Sequence, residues 1–166
     1  GVDKRAEDFA VSEQDANTII AAFAAYYGAH CDDATGPYPG IPDLLRRLKA
    51  AGVRIAVVSN KLDEAVQVLN RVHFDGVFEE AKGERAGIRR KPAPDMVFAV
   101  LESLGIQREE AVYIGDTEVD MQTAHNSGMD CISVSWGFRS REALEAFGAT
   151  RIVDRAEEIY DMIVGN

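Results

Sequence analysis

AVYIGDTEVDMQTAHNSGM, residues 111–129, is the stretch on which the fold turns. Its opening, AVYIG, is a nearly continuous apolar run carrying β-forming Val112, Tyr113 and Ile114, as expected of a strand covered on both faces. Gly115 lets the backbone turn tightly, and the residues after it read as a helix over 118–127. Two carboxylates, Asp116 and Asp120, stand four residues apart at this junction, so Asp120 lies one helical turn on from Asp116.

Outward from this unit the same alternation continues. Upstream, a helix over 42–51 ends at Gly52 and leads into the β-rich run VRIAVVS (53–59), a helix over 62–72, a short strand near 76–80 and a helix over 94–104. Downstream come the strand CISVS (131–135), a helix over 140–147, the short strand TRIV (150–153) and a helix over 156–164. Strands separated by helices imply right-handed crossovers and a three-layer α/β architecture with a mainly parallel sheet. Nearer the N-terminus, Ser12 caps a helix over 12–31 whose apolar residues Ile19, Ile20, Phe23 and Tyr27 recur at helical spacing. The Gly/Pro-rich stretch DATGPYPGIP (33–42) then separates this helix from the rest of the chain.

The 166 residues suffice for one domain with a substantial core, and 46% hydrophobic with 28% charged residues is ordinary for a globular protein. A formal net charge of −10 repels polyphosphate backbones, which argues against nucleic acid as a partner. An anionic small substrate would have to be captured by local cations or by a metal. Cys31 and Cys131 form no CxxC or Cys/His cluster and read as reduced thiols. No apolar run approaches the roughly 18 residues of a membrane span and no secretory pattern opens the chain, so a cytoplasmic location without membrane contact is expected.

In open parallel sheets ligands sit outside the C-terminal ends of the strands, so the residues just after each strand carry the chemistry. After VRIAVV come Ser59 and Asn60, a hydroxyl and a turn-former whose free amides can hold an oxyanion; a plain helix N-cap is the ordinary alternative. In RRKPAPD (89–95), two prolines keep Lys91 out of a helix and fix the direction of the chain, although a solvated basic turn would look the same. The pair Asp116 and Asp120 supplies hard oxygens suited to Mg²⁺, which takes one or two carboxylates and leaves the rest to water and phosphate. Acids at a helix N-terminus explain one of these carboxylates but not both.

Hydroxyl, lysine and acid pair come after three successive strands in that order. VVSN (57–60), RRKPAPD and GDTEVDMQTAHNSGM (115–129) resemble the second, third and fourth motifs of the haloacid dehalogenase superfamily, in its phosphoglycolate phosphatase-like branch. YPGIPDLLRRLKAAGVRIAVVSNK (38–61) extends the likeness. The resemblance implies a Rossmann-like core over 43–166, a hinge over 36–42, and a remnant of a helical cap over 1–35. It also implies a Mg²⁺-dependent phosphatase that hydrolyses a small phosphorylated metabolite through a phosphoaspartate. Ser59 and the Asn60 amide would hold the phosphoryl group and Lys91 would neutralise it. Asp116 would ligate Mg²⁺, and Asp120 would serve the metal through its water or orient the lysine.

One motif of the family has no counterpart. Its first, an apolar strand ending in Asp-x-Asp-Gly-Thr, provides the aspartate nucleophile. Here the N-terminal GVDKRAEDFAVSEQD offers Asp3, Asp8 and Asp15, none after an apolar strand and none before Gly-Thr. The expectation is therefore an N-terminally truncated polypeptide whose core lacks its central first-motif strand and which does not turn over by itself. Two unpaired sheet edges would then face each other, inviting direct pairing, swapping or self-association. A non-catalytic phosphate-binding or regulatory module is the alternative from another class, and a phosphomutase shares the motifs. A phosphoacceptor receiver domain is excluded by the order of the residues, because there the acids come first and the lysine last.

Overall fold

The computed structural model describes residues 12–165. The expected cap remnant thus falls partly outside the described residues, Asp3 and Asp8 included. The chain divides into two compact units, Gly1–Gly36 and Pro37–Asn166. In the first, helix α1 (Glu13–His30) starts where the Ser12 hydroxyl accepts the Asp15 amide at 3.2 Å. Phe23 and Tyr27, one turn apart, stack with ring centroids 5.5 Å from each other.

The second unit runs α2 (Ile41–Ala50), β1 (Ala56–Leu62), α3 (Asp63–Phe74), β2 (Glu80–Glu84), α4 (Asp95–Leu104), a 3₁₀ turn (Arg108–Glu110), β3 (Val112–Gly115), α5 (Glu118–Ser127), β4 (Asp130–Val134), α6 (Arg141–Ala146), β5 (Ile152–Val153) and α7 (Ala156–Val164). Every strand pairing among the described residues is parallel. Among the described residues, no helix is long and apolar enough to cross a membrane.

Strand β3 pairs with β4 in the register Tyr113↔Cys131 and Ile114↔Ile132. Successive side chains leave opposite faces of a strand. Ile132 accordingly joins Leu44 and Leu48 of α2, Val153, and Ala156 and Ile159 of α7 in one core cluster, while Cys131 and Tyr113 pack with Val97 of α4 and Ala124 of α5 on the other face. Helices therefore cover both faces of this sheet, which explains the unbroken apolar runs in β3 and β4.

Two strand placements differ from the sequence reading. The short strand expected near 76–80 lies at Glu80–Glu84, and its buried positions are Ala81 and Gly83. Side chains that small give almost no hydrophobic signal. Gly83 is held small because a Cβ there would lie 2.4 Å from the Asp63 Cα at the start of α3. Strand β1 begins later than expected and continues past Ser59 and Asn60 to Leu62, with an irregularity between Val58 and Leu62.

The strands form two sheets, β1–β2 and β3–β4–β5. Direct pairing, one of the expected outcomes for the facing edges, does not occur among the described residues: β1 and β3 each end a sheet and flank one cleft of about 720 Å³. Val58 of β1 and Tyr113 of β3 both touch the cluster around Val97, so α4 bridges the two sheets. Ile114, in the middle of β3, is 39% exposed where a strand interior is normally covered.

Candidate active site

The cleft between β1 and β3 brings together Ser59, Asn60, Lys91, Asp116 and Asp120. Ser59 and Asn60 lie in the second half of β1, Lys91 in the loop before α4, and Asp116 and Asp120 where β3 gives way to α5.

Lys91 and Asp120 form the centre. The ammonium donates to Asp120 Oδ1 at 2.7 Å and to the Tyr113 hydroxyl at 3.3 Å, and the two charged side chains are only 13% and 8% exposed. Asp120 Oδ2 accepts from the Thr117 hydroxyl at 2.6 Å and from the Thr117 and Asp116 amides at 3.2 and 3.3 Å. Burial alone would raise the Asp120 pKa, yet the Lys91 charge and hydrogen bond, with the Thr117 hydroxyl and the Asp116 amide, outweigh it and hold the group below its ordinary value. Both oxygens of Asp120 are therefore committed. It completes a capping box with Thr117 at the start of α5, and the same carboxylate orients the lysine.

Asn60 is engaged through its side chain. Its side chain donates to the Lys91 carbonyl at 3.0 Å and accepts from the Lys91 amide at 2.9 Å. One amide side chain thus clasps the backbone of the lysine loop from both sides, tying the end of β1 to a segment 31 residues away. Ser59 Oγ accepts from the Lys61 amide at 3.1 Å, which orients the hydroxyl in the irregular part of β1.

Asp116 is placed differently from Asp120. Its Oδ2 accepts from the Phe138 amide at 2.7 Å, and the carboxylate lines the cleft. Both acids depend on a neighbouring glycine: a Cβ at Gly115 would lie 2.2 Å from the Asp120 Cβ, and one at Gly137 would lie 2.1 Å from Asp116 Oδ2. No Cβ can occupy either place.

Tyr113, Thr117, Gly137, Phe138 and Arg139 are site residues that sequence reasoning passed over. Tyr113 reads as one more apolar strand residue, although its hydroxyl lies 3.3 Å from Asp120 Oδ1. Burial, aided by the Asp120 charge, pushes that phenol well above its usual range, so it stays a neutral donor. The stretch after CISVS was accessible by the rule that strand ends carry chemistry, and its WGFR reaches the Asp116 carboxylate. There Glu118 accepts two hydrogen bonds from Arg139, at 2.7 and 2.8 Å, and the guanidinium holds its carboxyl down to about 2.

Among the described residues no group of three or more His, Cys, Asp or Glu side chains could hold a metal ion. For Mg²⁺ the fit rests on Asp116, a hard carboxylate at the cleft with one oxygen fixed by an amide, since this ion accepts one or two carboxylates with water and phosphate completing its shell.

The chain is similar to several known proteins. The model of the haloacid dehalogenase-like hydrolase family matches residues 2–134. A phosphoglycolate phosphatase from Aquifex aeolicus is 37% identical over 120 residues, 72% of this chain and 56% of that protein. A crystal structure from Lactobacillus delbrueckii subsp. bulgaricus, assigned as a phosphoglycolate phosphatase, has a TM-score of 0.87 at 52% identity, covering 95% of this chain and 66% of the other. CbbY from Rhodobacter sphaeroides, solved in complex with phosphate, has a TM-score of 0.74 at 27% identity, covering 89% of this chain and 67% of the other. A mutant of CbbY has been solved with xylulose-(1,5)bisphosphate. The chain spans little more than half the length of the curated relatives it matches, 56% and 55% in two phosphoglycolate phosphatases. On its match over 2–134 and its likeness to these relatives, the chain belongs to the haloacid dehalogenase-like hydrolase family, in its phosphoglycolate phosphatase-like branch.

Proposed function

We propose that this chain carries the phosphate-binding and charge-neutralising part of a Mg²⁺-dependent phosphatase acting on a small phosphomonoester. The observation that carries the reading is the Lys91–Asp120 pair, 2.7 Å apart and nearly buried, in one cleft with Ser59, Asn60 and Asp116. A buried ammonium fixed to one carboxylate is a positioned cation, which is what a transferring phosphoryl group needs in a protein of net charge −10.

In this reading the Ser59 hydroxyl and the amide of Asn60 bind the phosphoryl oxygens, and Lys91 offsets their charge. Asp120 and Tyr113 hold the ammonium in place, and the Asn60 side chain fixes its loop. Asp116 would hold Mg²⁺, which when bound supplies Lewis-acid stabilisation at phosphate oxygens. Substrate class is taken from the relatives: a phosphorylated small metabolite of the phosphoglycolate or sugar phosphate kind, handled in a cytoplasmic setting to which the two free cysteines are suited.

Among the described residues, the carboxylates lining the cleft are Asp116 and Asp120, and both serve other purposes. We assign the nucleophile to a further strand seated between β1 and β3, the gap that leaves Ile114 exposed. Such a strand would come from a longer polypeptide, and the same open edges would let two copies of the chain pair. A non-catalytic phosphate-binding role is favoured by that one point, the commitment of both acids.

The test is hydrolysis of an aryl phosphate with Mg²⁺ by the 166-residue chain and by a polypeptide of the relatives' length that contains it. Turnover in the longer form alone is expected. Turnover by the shorter chain would refute the seat of the nucleophile; phosphate binding without turnover in either would establish the non-catalytic module.

A further inference from the structure

The loop after β4, SWGFRS (135–140), reaches the Asp116 carboxylate from outside the lysine cluster. Its Phe138 donates its amide to Asp116 Oδ2 at 2.7 Å while the residue itself is 82% exposed. An exposed ring does not hold its backbone in place, so the neighbours must. On one side Trp136 packs against the cluster of Ile132, Val134 and Val153, and Gly137 lets the backbone approach where a Cβ would collide with Asp116. On the other side Arg139 meets Glu118 through two parallel hydrogen bonds of 2.7 and 2.8 Å. Two bonds from a planar guanidinium define an orientation as well as a distance, which one ammonium could not do. Glu118 sits on the first turn of α5, two residues from Asp116, so the loop is fastened to the same strand–helix junction that presents the carboxylate.

An aspartate carboxylate turns about its last torsion in a broad, nearly two-fold well, so an isolated Asp116 could present either oxygen at many angles. We infer that Arg139 is a positioning residue: its bidentate pair with Glu118 holds the Phe138 amide against Asp116 Oδ2 and thereby fixes which carboxylate oxygen faces the cleft. What that oxygen ligates rests on the Mg²⁺ reading above; the clamp itself does not. The competing reading is an ordinary surface ion pair, for such pairs commonly contribute little.

The experiment uses the 166-residue chain as wild type, Arg139→Lys and Arg139→Met. Two quantities are measured: hydrogen exchange at the Phe138 amide by NMR, and Mn²⁺ affinity by electron paramagnetic resonance, Mn²⁺ standing in for Mg²⁺ at oxygen ligands. Urea midpoints verify that the variants remain folded. R139M should speed exchange at Phe138 selectively and weaken Mn²⁺ binding by about tenfold or more, the range seen when a group behind a metal ligand is removed. R139K should recover part of both losses, since it restores the charge but not the fork. Unchanged Phe138 exchange in R139M would overturn the clamp, and faster exchange with unaltered Mn²⁺ affinity would reduce Arg139 to a loop tether and overturn its positioning role. A wild-type chain that binds no Mn²⁺ would instead refute the metal reading, and the Phe138 exchange comparison would still decide the clamp.

Discussion

Lys91 and Asp120 neutralise each other in a site where neither has much water, so removing one strands the other. Lys91→Met should destabilise the chain by about 3–5 kcal/mol, the usual cost of leaving a buried charge unpaired, and urea unfolding measures it. The pH dependence comes from the same pair. The folded-state pKa of Asp120 lies below its ordinary 3.8, so the folded form binds fewer protons than the unfolded one in the interval between the two values. This stabilisation is complete above the unfolded value and is lost as pH falls through the folded one. Urea midpoints for the wild-type chain should therefore decline below about pH 4, and Asp120→Asn should flatten that part of the curve. At this scale Ser59, Lys91, Asp116 and Asp120 could be picked out in the sequence as polar residues beside or between apolar runs, and the structure lines one cleft with them. Tyr113 and Phe138 do not stand out. One contributes a hydroxyl from a residue type that also fills cores, and the other contributes a backbone amide, which no residue type advertises.

The elements were legible in proportion to how much apolar side chain they bury. Strand β3 and strand β4 place residues on two covered faces and so read as unbroken apolar runs; α1 is the exception, legible from Ser12 and a regular apolar spacing although Ile19 and Phe23 are exposed. Strand β2 reads as polar sequence because packing against α3 demands small residues at its buried positions, Ala81 and Gly83. Gly83→Ala would drive a methyl into the Asp63 backbone, and overpacking of this kind costs about 1–3 kcal/mol. The expected result is a lower urea midpoint with the spectroscopic signature of the helices retained. The irregular end of β1 was equally hard to read. Its course past Asn60 depends on the side-chain clasp to the Lys91 loop, a contact between segments 31 residues apart that no local pattern encodes.

Across the whole molecule, the break between two parallel sheets governs behaviour. Edge amides of β1 and β3 that face the cleft have no strand beside them among the described residues, so they should exchange quickly in the 166-residue chain and become protected in a polypeptide that supplies a strand there. Hydrogen exchange measured strand by strand checks this, and equal protection in both forms would refute the seat proposed for the nucleophile. The parallel topology and helix layers could be read from the alternation of patterns. That β1 and β3 would stay apart could not, because the bridging contacts of Val97 with Val58 and Tyr113 belong to tertiary packing. The anchoring of residue 136 has a practical corollary. The chain has a single tryptophan, half-buried against the core cluster and two residues from the amide that grips Asp116. Its indole emission is thus a native optical gauge of that loop, readable during titration with metal or phosphate without any added dye.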